Sequence, residues 1–211
     1  MITIYKSTET GLATIDQPVS GCWVSLVDPS PEETAQIARD LNIPHDFLVY
    51  PLDMDERART EKDNGVTLIV LRVPRYEGAS ADVPYLTIPL GIIITDSFVL
   101  TVCKYDSSVL QGLRRAPILS TGKRNRFILR VLRIAATTYL DDLRLINNTV
   151  DRIEERLQHS QRNRELMELL KYQKSLVYFT TALKSDELIL QHLQKSRLFH
   201  QQPEDEDLLD D

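Results

Sequence analysis

From Arg124 to Leu198 the apolar residues recur at steps of three and four, and no other feature constrains the fold of this chain as much. Ile128, Leu132, Ala135, Tyr139, Leu143, Ile146, Val150, Ile153 and Leu157 trace one stripe. After a polar break at His159-Ser160-Gln161, the rhythm resumes through Leu169, Tyr172, Leu176, Phe179, Leu183, Leu190 and Leu193, with Leu169, Leu176, Leu183 and Leu190 spaced by seven. Asp186 is its one lapse. Two helices of about 35 residues, roughly 50 Å long at ~1.5 Å per residue, with a short link between them, predict an antiparallel hairpin over 124–198. Residues 1–123 are then the globular part that carries it, and 199–211 form an acidic end.

At 211 residues the chain has room for a compact domain plus an extended appendage. A net charge of −6 gives no footprint for nucleic acid. No window approaches the roughly 20 apolar residues of a membrane span, because the greasiest run, Leu86 to Thr95, contains Pro89 and Gly91. The start, Met1 to Lys6, has neither the basic leader nor the apolar core of a secretory signal. Cys22 and Cys103 sit in strand-like contexts without metal-ligand spacing, which reads as buried thiols in a reducing compartment.

Within 1–123, Ile2 to Ser7 and Leu12 to Asp16 form an opening hairpin around Glu9-Thr10-Gly11, and Cys22 to Val27 is a third strand. Ser30 caps a helix that Pro31, Glu32 and Glu33 start and Ile43-Pro44 stops. His45 to Leu52 is a further short helix. Asn64-Gly65 turns an antiparallel pair, whose second member, Val66 to Val73, is so continuously apolar that a central position is expected. Pro74 to Pro84 reads as a polar surface excursion, Leu86 to Ile94 and Phe98 to Cys103 as another hairpin, and Ser107 to Arg115 as a short helix. The expected fold class is α/β: a layered domain with a mixed or antiparallel sheet flanked by helices, followed by the long helical hairpin.

Little points to catalysis. No serine lies in a glycine-flanked elbow, seven glycines supply no phosphate-cradling loop, and His45, His159, His192 and His200 are scattered. The remaining chemical resource is carboxylate. Mg²⁺ and Ca²⁺ take oxygen ligands, and Mg²⁺ needs only one or two carboxylates beside its waters. Three groups qualify: Asp53, Asp55 and Glu56; Glu77 with Asp82; and Asp205, Asp207, Asp210 and Asp211. Any one of these acids taken alone is more simply a solvated surface charge. Asp141, Asp142, Asp151, Glu154 and Glu155 are expected on the polar side of the first long helix, paired with Arg144, Arg152 and Arg156.

The order of elements, the segment Leu52 to Glu61, the strand pair around Ile92 to Thr95 and Phe98 to Val102, and the helical hairpin together resemble the cytosolic portion of the CorA family of magnesium transporters. That resemblance implies a stalk helix after the hairpin, two membrane spans joined by a Gly-Met-Asn loop, a homopentamer, and a place on the cytoplasmic face of the cell membrane. The sequence stops at an acidic turn without spans, so a fragment truncated as the stalk begins is expected, reaching the membrane only through missing segments. The resemblance further implies that divalent ions, Mg²⁺ first with Co²⁺ or Zn²⁺ as alternatives, bind between neighbouring cytosolic domains. By position the domain-side acid is Glu77, with Asp82 a second choice, and the stalk-side acids are Asp207, Asp210 and Asp211. The function expected is ion sensing and gating rather than catalysis. A soluble helical-hairpin interaction module without a metal role is the alternative. With the stalk missing, Leu190 and Leu193 are expected to be exposed.

Overall fold

The computed structural model describes residues 1–116, 119–159 and 163–195. Seven strands, β1 (Ile2–Thr8), β2 (Gly11–Ile15), β3 (Cys22–Val27), β4 (Arg59–Asp63), β5 (Val66–Tyr76), β6 (Tyr85–Ile94) and β7 (Phe98–Cys103), form one sheet in the order β2-β1-β3-β7-β6-β5-β4. Every pairing is antiparallel except β3 with β7, so the sheet is mixed. Helices α1 (Pro31–Asp40), α2 (His45–Val49) and α3 (Ser108–Arg115) flank it, with a 3-10 turn at Tyr50–Leu52, and α4 (Arg124–His159) and α5 (Asn163–Lys195) follow.

Alternation along the strands sorts the apolar residues into two cores. Leu68, Val70, Ile93, Leu100 and Val102 face α1 and α2, where Ile37, Phe47 and Leu48 meet them. Ile69, Leu71, Val73, Ile88, Leu90 and Ile92 face α3 and the long helices. Helix α1 starts where its sequence demands. Ser30 accepts from the Glu33 backbone N–H while the Glu33 carboxylate accepts from the Ser30 N–H at 2.8 Å, a reciprocal capping box with Pro31 behind it.

Two expectations about the strands need correction. The strand β5 is not central; it lies beside the edge strand β4, and β7 occupies the middle. Its continuous apolarity comes from layers on both faces, which is independent of lateral position. Pro74 is not in a surface excursion either, because β5 runs to Tyr76 and pairs Pro74 with Thr87. A proline is tolerated there because β4 ends opposite Val70 and nothing beyond it asks Pro74 for an N–H.

The two long helices pack antiparallel, as Tyr139 against Phe179 (ring centroids 4.9 Å apart, planes at 89°) and Arg156 against Glu168 (2.8 Å) show. Their sheet-proximal ends enter the main core: Phe127, Ile128 and Val131 from α4 and Ile189 and Leu193 from α5 are buried with Trp23, whose indole N–H donates to Thr101 Oγ1 at 2.9 Å. Leu193 is therefore not exposed (1%), contrary to expectation, and Leu190 is half-buried. The seam of α5 is also displaced from the seven-spaced leucines. Tyr172, Ser175, Phe179, Ala182, Ile189 and Leu193 face inward, while Leu176 and Leu183 stay exposed.

Candidate functional site

The β5–β6 hairpin closes in the loop 77–84, where the Glu77 N–H donates to Pro84 O at 2.8 Å. Gly78 takes a positive φ of 107° in this loop, a conformation that a side chain would strain. Glu77 and Asp82 both lie here and both are exposed, so the fold places these two predicted acids on one short surface loop. Glu77 is engaged by the Arg75 guanidinium, which also stacks over the Tyr105 ring at 3.6 Å. Lys171 of α5 ties the loop down by donating to Ala81 O at 3.1 Å.

The Asp53, Asp55, Glu56 group is committed to local structure. Asp53 Oδ1 accepts from the Asp55 N–H at 3.0 Å, and Glu56 Oε1 accepts from the Arg57 N–H at 2.9 Å and pairs with Arg59. Asp205, Asp207, Asp210 and Asp211 lie outside the described residues. Among the described residues no three His, Cys, Asp or Glu side chains cluster closely enough to hold a metal ion, and no helix is long and apolar enough to cross a membrane. Of the acids on α4, Asp141 pairs with Arg144 as expected (2.9 Å), whereas Asp142 is half-buried, and desolvation together with the neighbouring Asp141 pushes its carboxyl up to about 6.

A polar joint that sequence reasoning missed connects the long helices to the sheet. Arg72 of β5 lies opposite Pro89, which has no N–H, so the main-chain groups of Arg72 point away from β6 toward the side where β4 has already ended at Arg59. Side chains of the long helices take the place of the absent strand. The Arg72 N–H donates to Asp186 Oδ1 of α5 at 3.0 Å, and Tyr139 Oη of α4 donates to Arg72 O at 2.8 Å. Ser175 does the same for β6, accepting from the Tyr85 N–H at 3.1 Å. The Arg72 side chain is spent on neutral acceptors: Nη1 donates to Met54 O (2.7 Å) and Glu56 O (2.9 Å), and Nη2 to Thr87 O (2.6 Å). The sequence signals were faint. They were the charge that breaks the apolar run of β5 and the acid that breaks the stripe of α5.

The outer face of α5 carries an apolar row, Leu166, Leu170, Leu176, Val177, Leu183 and Leu188, that is exposed along its length. With Val150 of α4, the first three line an open groove of about 500 Å³.

Fold and site together define a layered α/β domain bearing a docked helical hairpin, with acids on one surface loop. Residues 20–211 match the family described as CorA-like Mg²⁺ transporter protein. This chain belongs to that family. It is 26% identical over 186 residues to the cobalt/magnesium transport protein CorA of Methanocaldococcus jannaschii, a match covering 83% of this chain and 56% of that protein, so the chain spans about half the length of this curated relative. The fold is shared with the soluble domain of CorA from the same organism, at a TM-score of 0.85 and 22% identity over 100% of this chain and 85% of that one. It is also shared with the ZntB cytoplasmic domain from Vibrio parahaemolyticus, at a TM-score of 0.69 and 14% identity over 96% of this chain and 83% of that one.

Proposed function

We propose that this chain is the ion-sensing and gating domain of a divalent cation transporter, acting on the cytoplasmic face of the membrane within a homopentamer. Its cation is Mg²⁺ first, with Co²⁺ or Zn²⁺ as alternatives. The observation that carries this reading is the match of the whole chain to the soluble domain of a magnesium and cobalt transport protein, from a family whose members are transporters. Glu77, with Asp82 five residues on, supplies the domain-side carboxylates, and Asp207, Asp210 and Asp211 supply those of the neighbouring subunit. Two carboxylates brought together across a subunit boundary repel one another, and a cation between them removes that cost. Loss of the ion then loosens the boundary, which is the physical basis of feedback.

Arg75 sharpens the requirement. It already neutralises Glu77 within the chain, so a cation captures Glu77 only by displacing the guanidinium. That exchange is favourable when a second carboxylate joins the ion, since its attraction for the cation offsets the lost Arg75 pair. The exposed leucine row of α5 fits the same reading as the seat of the stalk helix that the CorA resemblance implies. The row also favours the alternative, an interaction module without a metal role, and one experiment separates the two. In a longer chain that includes the expected stalk, Mg²⁺ is titrated and protease resistance is followed. The sensing reading expects Mg²⁺ to protect, and expects Glu77→Ala and Asp207→Ala each to raise the concentration required. Protection unchanged in both variants refutes the site, and no protection at all favours the module.

A further inference from the structure

We propose that the joint between the helical hairpin and the sheet is a proton-operated latch, built from Asp186, Tyr139 and the main chain of Arg72, that is closed when Asp186 is protonated and loosens when it ionises. Asp186 interrupts the apolar stripe of α5 at the point where the sheet has run out of strands. Its Oδ1 takes the stranded Arg72 N–H at 3.0 Å while Tyr139 satisfies the carbonyl of the same residue at 2.8 Å, so one residue of β5 is held by α5 and α4 together. The protonated acid can still accept that N–H through its carbonyl oxygen, and it brings no charge into a joint flanked by Phe179, Ala182 and Ile189.

The ionised acid is poorly served. The cation beside it is Arg72, but the donors of that guanidinium go to Met54 O, Glu56 O, Thr87 O and Thr87 Oγ1. The other groups around the joint do not compensate. From α4 come the Tyr139 phenol, which burial and the Asp186 charge hold well above its ordinary range, and Asp142, a like charge further along. The connection after the 3-10 turn brings Asp55 within electrostatic reach of Arg72, and α5 itself brings Tyr178. From β4, Thr60 meets His192 at 3.4 Å, and Arg59 is already paired with Glu56 and Glu61. Opposite the joint, β6 presents the neutral Thr87. Desolvation pushes the Asp186 carboxyl up to about 7, with the Arg72 N–H and charge opposing the rise. Because the closed joint raises this pKa above that of a solvated aspartate, the closed form binds the proton more tightly, and its advantage is lost as pH rises through about 7.

Hydrogen exchange of the chain at pH 6.0 and 8.5, corrected for the intrinsic pH dependence of exchange, tests the latch. The opening equilibrium reported by the amides of Arg72 and of α5 around residues 182–193 should rise roughly tenfold at the higher pH, as linkage to a group titrating near 7 requires. Asp186→Asn should remove that pH response while keeping the amides protected, and Tyr139→Phe should increase opening at both pH values and keep the response. Equal opening of the unaltered chain at the two pH values overturns the latch, and so does a pH response that survives in Asp186→Asn. If Asp186→Asn does not fold, a carboxyl ¹³C titration of Asp186 in the unaltered chain decides: a midpoint of 6 or above supports the latch, and a lower midpoint overturns it.

Discussion

Phe179 is the side chain through which the hairpin and the sheet should melt as one unit. It is buried, its ring stands edge-on to Tyr139 of α4, and it meets Tyr85 at the start of β6 with centroids 6.1 Å apart and planes at 78°. Phe179→Ala removes a fully buried ring from the meeting point of α4, α5 and β6, which costs about 3–5 kcal/mol in transfer and cavity terms. Part of that sum is two edge-on aromatic pairs at ~0.5–1.5 kcal/mol each. For a chain of this size, each kcal/mol lowers the melting temperature by about 2–4 °C, so a fall of roughly 10 °C is expected. The assay follows one denaturation with two probes. Far-ultraviolet circular dichroism reports mainly the long helices, and the fluorescence of the single tryptophan, Trp23, reports the sheet core. Because Phe127 of α4 packs on the Trp23 ring with centroids 5.3 Å apart, both probes should move together to the new midpoint. If the helical signal shifts while Trp23 keeps its original midpoint, the hairpin is a separate unit and the shared core does not couple it to the sheet.

Two further outcomes follow from the packing at Gly91 and from the half-buried Asp142. Gly91→Ala would put a Cβ 2.3 Å from Pro51 Cγ, a rigid ring that cannot swing away, so overpacking by about 1–3 kcal/mol is expected in urea denaturation. Adding Pro51→Ala should recover part of it, and full stability of the single variant would refute the clash. Asp142 has a folded pKa of about 6 against 3.8 unperturbed, so its contribution is complete below the unfolded value and is lost as pH rises through 6. Asp142→Asn should therefore match the unaltered chain near pH 4 and exceed it at pH 7.5 by about 1–2 kcal/mol, the full shift being reduced by solvent screening at a half-buried group, and a gap that does not widen with pH would refute the burial argument.

The fold was legible in the sequence wherever one local signal sufficed. Asn64-Gly65 turns the β4–β5 hairpin with positive φ at both residues, and Ser30 caps α1 as its spacing with Glu33 required. The long helices followed from periodicity alone. Periodicity gave the buried face of α4 but only part of that of α5. Small residues weigh less in an apolar stripe than leucines do, so Ala182 and Ser175 were passed over as seam positions, while the seven-spaced leucines drew attention to a row that is half solvent. Helix α5 scatters its apolar residues around the circumference among charged ones, and only the sheet and α4 beside it decide which side is inside.

The same limit hid the joint. A lone acid in an apolar stripe reads as a defect, since propensity and pattern concern one element at a time. Its meaning lies 114 residues away, where β4 stops short of Arg72 and leaves a main-chain N–H and C=O without a strand. An apolar side chain at position 186 would complete the stripe and strand that N–H in a part-buried place, at a cost of about 1 kcal/mol. Asp186 is thus the residue that lets a helix end a sheet. The placement of Glu77 and Asp82 on a surface loop was legible for the opposite reason. The loop is carried clear of the core by β5 and β6, and its polar residues keep their sequence signal because no packing competes for those positions.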